Sequence, residues 1–232
     1  MAVNELSFIH SNCTIPNWLD ALLSSIKEDR EHPDYMSVNG LMAFCGTQGS
    51  GKTLSSVLYL ESLMKYYKQA LVVTNLKLSP EYFDTDRIIK YTGLQNLTDI
   101  DNGPYGVIYL LDEIQLEFNS LESKQMNMPI FEFVCQQRKA RKHLIGTTQV
   151  FGRLAKPFRE QFKYAIACKK LLGSLFRQEL YRAENVAYED DIRTELVLKA
   201  RRYYFAGTDD FSKYDTYEQI QRVRGLFVSD GN

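Results

Sequence analysis

Short apolar runs recur along the chain, separated by polar or glycine-rich stretches, and between them lie segments whose apolar positions return every three to four residues. Residues 41–45 read as a buried strand, 54–67 as an amphipathic helix and 70–75 as a second strand rich in β-branched residues. A third strand covers 106–111 and runs straight into Asp112-Glu113; a fourth, 143–149, ends in polar residues; a fifth covers 164–168. Strands that are apolar throughout and alternate with helices predict an α/β fold, with a parallel sheet covered on both faces. From 171 to 205 the pattern changes to short alternating runs with charges between them, as expected of antiparallel strands or a hairpin at the sheet edge.

The remaining segments are less regular. Residues 76–104 form a long excursion with one expected helix at 86–91. Residues 129–142 read as a helix opened by Pro129 and closed by Arg138, Lys139, Arg141 and Lys142, whose charge complements the helix dipole. A short helix broken by Pro157 is expected at 151–162. Residues 1–38 are a polar lead-in with an amphipathic helix at 15–26, expected to pack on the sheet. Residues 39–217 then form the core and 218–232 a tail.

Length and composition narrow the class. A chain of 232 residues with 44% hydrophobic and 25% charged residues fits one α/β domain with small additions. A net charge of −1 exerts no global pull toward nucleic acid or membrane, so any contact with a polyanion has to be local. Cys13, Cys45, Cys135 and Cys168 are widely spaced and read as thiols in a reducing compartment, not as a disulfide framework or zinc site. Without a basic-then-apolar leader or an apolar run of membrane length, the chain is expected in the cytoplasm.

The chemistry concentrates at the ends of three strands. Gly46-Thr47-Gln48-Gly49-Ser50-Gly51-Lys52-Thr53 is a complete G-x-x-x-x-G-K-[ST] loop between a strand and a helix that begins with Leu54, and Gly46 to Leu54 are expected to bind the nucleotide. Its glycines free backbone N–H groups to wrap phosphates, Lys52 reaches the β- and γ-phosphates, and Thr53 offers a hydroxyl to Mg²⁺. Asp112, at the end of the third strand, suits the same ion, and Glu113 suits a general base for water. Gln149 is expected to sense the γ-phosphate or the water, because its amide both donates and accepts; Thr147 and Thr148 are placed to assist. Of the flanking arginines Arg138, Arg141, Arg153 and Arg159, the best placed for the active site or a neighbouring subunit are Arg138 and Arg159. The rest of 138–142 reads as a solvated helix end or a contact to a phosphate backbone. Lys169-Lys170 and Arg201-Arg202 carry the same alternatives.

In this order, GTQGSGKT, ALVVTNLKL, VIYLLDEIQ, QQRKARKHLIGTTQ and a late KYDT at 213–216 resemble the zonula-occludens-toxin-like ATPases of filamentous phage assembly, within the FtsK/HerA superfamily. The resemblance covers about residues 39–217. It implies a RecA/ASCE-like P-loop NTPase fold with ATP and Mg²⁺ as cofactors. It assigns Lys52 and Thr53 to phosphate and metal, Asp112 and Glu113 to metal and base, Gln149 to the sensor, and matches Arg138 and Arg159 to recurrent arginines. It further implies a homo-oligomeric ring, a hexamer, that translocates viral or mobile-element DNA, with capsid or portal-vertex proteins as partners, in the host cytoplasm or with the virion. Filamentous-phage members continue into a membrane span where this sequence does not, and the expectation here is a complete soluble packaging motor. The alternatives are a membrane-coupled extrusion ATPase, a small-molecule kinase and a nucleotide switch. The Asp-Glu pair followed by a strand-end Gln argues against the kinase, which needs no water-activating glutamate.

Overall fold

The computed structural model describes residues 31–118, 137, 139–187 and 198–215. The chain divides into two units, Met1–Tyr35 and Met36–Asn232. Of the first, the described residues 31–35 include a turn in which the Tyr35 N–H donates to the His32 carbonyl (3.1 Å).

The second unit is built on an eight-stranded sheet in the order β3-β2-β4-β5-β1-β6-β7-β8. Strands β1 (Gly40–Cys45), β2 (Leu71–Thr74), β3 (Ile88–Lys90), β4 (Val107–Leu111), β5 (Lys142–Thr148) and β6 (Phe162–Leu172) are parallel. β7 (Leu175–Arg182) and β8 (Leu198–Phe205) add an antiparallel meander to β6. Alternate residues of the central strands feed opposite cores, as the period of two requires. Val107, Tyr109 and Leu111 pack with Leu41, Ala43 and Leu144 on one face, whereas Ile108 and Leu110 pack with Phe44, Val72 and Ile145 on the other. Burying each Leu or Ile there contributes roughly 1.5–3 kcal/mol. Helix α1 (Lys52–Tyr66) covers the second face with Val57, Leu60, Leu63 and Met64.

The first face is closed by two irregular segments. One carries α2 (Gln95–Asp99), whose Leu97 is buried. Tyr109 donates its hydroxyl to the Asn96 carbonyl (3.0 Å), and the buried Lys142 ammonium donates to the Leu97 carbonyl (2.7 Å). The other carries α3 (Lys156–Arg159), where Phe158 meets Phe118 at 4.6 Å between ring centroids. Two further short helices, α4 (Ala183–Ala187) and α5 (Thr208–Phe211), follow β7 and β8.

Several expectations change. The helix expected at 86–91 is a 3-10 turn, Thr85–Arg87, followed by edge strand β3, because Ile88 and Ile89 find a free edge on β2 in parallel register. The helix expected at 151–162 is two single turns, Phe151–Arg153 and α3, separated by extended residues; Phe162 opens β6. Lys142 is neither a solvated helix end nor a phosphate contact, but a buried residue of β5. Of the helix expected at 129–142, residues 129–136 and Arg138 lie outside the described residues, as do the helix expected at 15–26, Cys13, Cys135, Thr216 and the tail; Arg141 turns the chain into β5 with φ 49° and donates to the Met36 carbonyl (3.0 Å).

Candidate active site

The loop 46–53 joins β1 to α1, and β5 separates β1 from β4, the strand that ends at Asp112. Strand ends of one parallel sheet therefore deliver the loop, Asp112-Glu113 and Thr147-Thr148 to the same edge, where ligands of open α/β sheets bind. The Gly46 N–H donates to the Thr148 carbonyl (3.2 Å), fastening the loop to β5. Gly51 stands at φ 87°, and a Cβ there would lie 2.5 Å from the Phe176 ring; a Cβ on Gly46 would lie 2.4 Å from Ser50 Oγ. The backbone thus follows a path that only glycine allows at Gly51. Ser50 Oγ is buried with no hydrogen-bond partner. An orphaned donor inside a cradle of backbone amides fits a phosphate.

Two threonines converge on one carboxylate oxygen. The Thr53 hydroxyl donates to Asp112 Oδ1 (2.9 Å) and so does Thr147 (2.5 Å). The Thr147 oxygen in turn accepts the Glu113 N–H (3.0 Å), so one buried hydroxyl positions both acidic residues. Asn75, just past β2, accepts the Asp112 N–H on Oδ1 (2.9 Å) and donates from Nδ2 to the Asp112 carbonyl (3.0 Å), gripping that peptide from the other side. Burial raises the Asp112 pKa, and the two threonine hydroxyls oppose the shift by favouring the ionised form. A carboxylate and a hydroxyl in contact make the sparse oxygen set that Mg²⁺ accepts alongside phosphate and water.

Glu113 adopts φ 52°, a left-handed conformation costly for a residue with a side chain. Its Oε1 pairs with Lys52 Nζ (3.1 Å) and its Oε2 accepts from Gln115 Nε2. Lys52 itself is buried, so its charge acts over a short range in low dielectric. Leu54, the last residue expected to bind nucleotide, packs its side chain against Phe176 and Ala206 and can offer only backbone.

Gln149 lies on the exposed bend just after Thr148. Arg159 is half-buried on α3; its guanidinium approaches Gly152, and among the described residues it hydrogen-bonds neither the loop nor the carboxylates. Its Nε is buried without a hydrogen-bond partner. Arg138 lies outside the described residues, and Arg153 is exposed. Sequence reasoning placed Thr147 as an assistant to Gln149 but not as the residue that positions both acids, and it assigned no role to Asn75 or Gln115. Asn75 and Thr147 carried a signal, a hydrogen-bonding side chain at or just past the end of an apolar strand; Gln115 carried none. Tyr214 is half-buried against both α1-side clusters, its hydroxyl pushed up to about 12 by burial and then by the Asp112 charge.

No family model matches the chain, and no curated protein matches it in sequence. In structure it is similar to the N-terminal domain of zonular occludens toxin from Neisseria meningitidis, with a TM-score of 0.51 and 15% identity over 76% of this chain and 98% of that one. It is similar to the ATPase domain of G40P, with a TM-score of 0.50 and 8% identity over 90% and 100%. It also matches the genome-packaging NTPase B204 of Sulfolobus turreted icosahedral virus 2 in complex with ATP-gammaS, with a TM-score of 0.49 and 14% identity over 69% and 96%. The chain has the P-loop NTPase fold: a mainly parallel sheet with flanking helices and a C-terminal antiparallel addition. No helix among the described residues is long and apolar enough to cross a membrane.

Proposed function

We propose that this chain is a Mg²⁺-dependent ATPase motor that translocates viral or mobile-element DNA, as a genome-packaging ATPase working in a homo-oligomeric ring. The observation that carries the hydrolytic part is the meeting of Lys52, Thr53, Asp112 and Glu113 at one sheet edge. ATP bound here would supply the phosphoanhydride to be cleaved, and Mg²⁺ held by Thr53 and Asp112 would supply positive charge to offset that of the phosphates. The loop amides and Lys52 bind and orient the phosphates. The Thr53 hydroxyl and Asp112 carboxylate hold the ion. Glu113 accepts the proton of the attacking water at its carboxylate, Gln149 orients that water from the end of β5, and Thr147 keeps both acids in register. Because Lys52 and Gln115 occupy the two Glu113 oxygens, phosphates that draw Lys52 away also release one of those oxygens. The likeness to the G40P ATPase domain supports an ATPase. Ring assembly, the arginines Arg138 and Arg159 as contributors to a neighbour's site, and capsid or portal partners rest on the motif resemblance.

A second reading is favoured by one observation: the chain spans 98% of the zonular occludens toxin domain. In that reading the ATPase powers virion extrusion through a membrane complex. One experiment separates the two. ATP turnover of the purified chain is measured with and without single- and double-stranded DNA at two salt concentrations, beside Lys52→Ala and Glu113→Gln. Stimulation by one DNA form, lost in both variants, supports translocation. Turnover indifferent to DNA supports extrusion, and absence of turnover refutes both.

A further inference from the structure

The motifs account for the phosphates and leave the nucleoside without a seat. We infer that Phe211, backed by Phe176, is the shelf on which the nucleobase stacks; the inference rests on the nucleotide-binding reading above.

Direction comes from the sheet order. The metal-holding oxygens lie on the β5–β4 side of the loop, where Thr53 meets Asp112. A triphosphate whose outer end is held there leaves its nucleoside to depart on the opposite side, toward β6. That side is walled. β6 pairs with β1 as far as Cys45↔Ala167 and then continues to Leu172, while β7 returns from Leu175, so the β6–β7 hairpin rises past the end of β1 beside the loop.

The wall is aromatic on its α1 side. Phe176 is 3% exposed and lies against Gly51, where any Cβ would collide with its ring. It stacks on Tyr204 (centroids 5.4 Å, planes 19° apart), and the Tyr204 hydroxyl meets the Ser55 hydroxyl (2.8 Å), so the stack is fixed to α1. Next to it stands Phe211, with centroids 6.5 Å apart. Phe211 is 42% exposed although it sits on a segment tied down at both ends. The Gly207 N–H donates to Asp210, and Lys213 pairs with both Asp210 (2.8 Å) and Glu61 of α1 (2.7 Å). A phenyl ring held this firmly and left open offers a preorganised flat surface. The exposed Lys170 places its ammonium 5.9 Å from the Phe176 centroid, adding a positive charge to the same wall. An open apolar ring on a wall that also carries a cation suits a purine attached to phosphates. Tyr214, by contrast, is half-buried and packs against both α1-side clusters.

The test compares a ligand that has a base with one that lacks it. Binding of Mg²⁺-ADP and of Mg²⁺-tripolyphosphate is measured by calorimetry for the wild type, Phe211→Ala and Phe211→Tyr, with the intact chain. Stacking of a base on an aromatic side chain predicts that Phe211→Ala weakens ADP binding on the order of tenfold. Tripolyphosphate is expected to bind all three proteins within twofold, and Phe211→Tyr to restore ADP affinity. Unchanged ADP affinity in Phe211→Ala overturns the shelf, as does an equal loss for both ligands. A wild type that binds neither ligand overturns the nucleotide reading itself, and the shelf with it.

Discussion

Replacing Thr147 by Val tests the arrangement most directly, because it removes one hydroxyl and almost no volume. That oxygen is fully buried, donates to Asp112 Oδ1 at 2.5 Å and accepts the Glu113 N–H at 3.0 Å. Valine opens no cavity there, so the cost lies in the hydrogen bonds. A bond to a charged group contributes about 1.5–3 kcal/mol, and a buried donor left without an acceptor costs about 1–3 kcal/mol. The expected loss is therefore about 3 kcal/mol of unfolding free energy, a large share of the roughly 5–15 kcal/mol that holds a domain together. At about 2–4 °C per kcal/mol for a domain of this size, Tm should fall on the order of 10 °C. The assay is urea and thermal unfolding without nucleotide, followed by Mg²⁺-ATP turnover at a temperature where the variant is folded. Turnover should drop by about two orders of magnitude, since both acids lose their register. Thr147→Ser, which keeps the hydroxyl, should recover most of both losses. If Thr147→Val unfolds at the wild-type midpoint and turns over at the wild-type rate, the hydroxyl positions nothing and the account of this site is wrong.

Other outcomes follow from the same structure. Glu113→Gln should bind Mg²⁺-ATP while turnover falls roughly 10²–10⁴-fold, as loss of a general base requires; single-turnover kinetics would check it. Gly51→Ala should be poorly folded or unable to bind nucleotide, because φ 87° and a Cβ 2.5 Å from Phe176 each add cost; its thermal midpoint beside that of Lys52→Ala separates fold from chemistry. Burial, with the Lys163 charge nearby, holds the His143 pKa at about 4 against an ordinary value of 6.5. Its Nδ1 contacts the Gly40 carbonyl (2.9 Å), which fits a donor in the neutral ring. The unfolded chain therefore binds this proton between pH 6.5 and 4 while the folded chain does not. Stability is full above pH 6.5 and should fall by up to about 3 kcal/mol as pH drops to 4, a slope that His143→Gln should flatten in urea titrations.

The parts of this molecule that announce themselves in sequence are those where local pattern and tertiary role agree. Strands β1, β2, β4 and β5 are apolar on both faces because helix and loop cover both, and each is expected from sequence within a residue or two of its observed ends. The loop is legible because its glycines and lysine are required by phosphate itself. Illegible features depend on partners far away in sequence. Edge strand β3 is three residues long, and Ile88-Ile89 become a strand only because β2 has a free edge. Lys142 follows three other basic residues and reads as a helix end; the carbonyl that buries it belongs to Leu97, 45 residues earlier. Asn75 resembles any strand-end asparagine until Asp112, 37 residues on, is laid beside it. Gln149 follows β5 directly on an exposed bend, and the Arg159 guanidinium lies near Gly152.

The strand that lies between loop and carboxylates explains why the site needs Thr147 at all. Neighbouring strands stand about 4.8 Å apart, so interposing β5 leaves on the order of 10 Å between the ends of β1 and β4. The Thr53 and Asp112 side chains reach across that gap to meet at 2.9 Å, and the floor beneath them is the end of β5. An apolar side chain there would give the ion and the water an apolar floor and leave the Glu113 N–H unmet. A hydroxyl at Thr147 and the carbonyl of Thr148, bonded to Asp112, Glu113 and Gly46, make the floor polar and tie its two walls together. The width of the site is thus fixed by strand order, its chemistry by the two acids, and their alignment by the residue of the interposed strand that lies in contact with both.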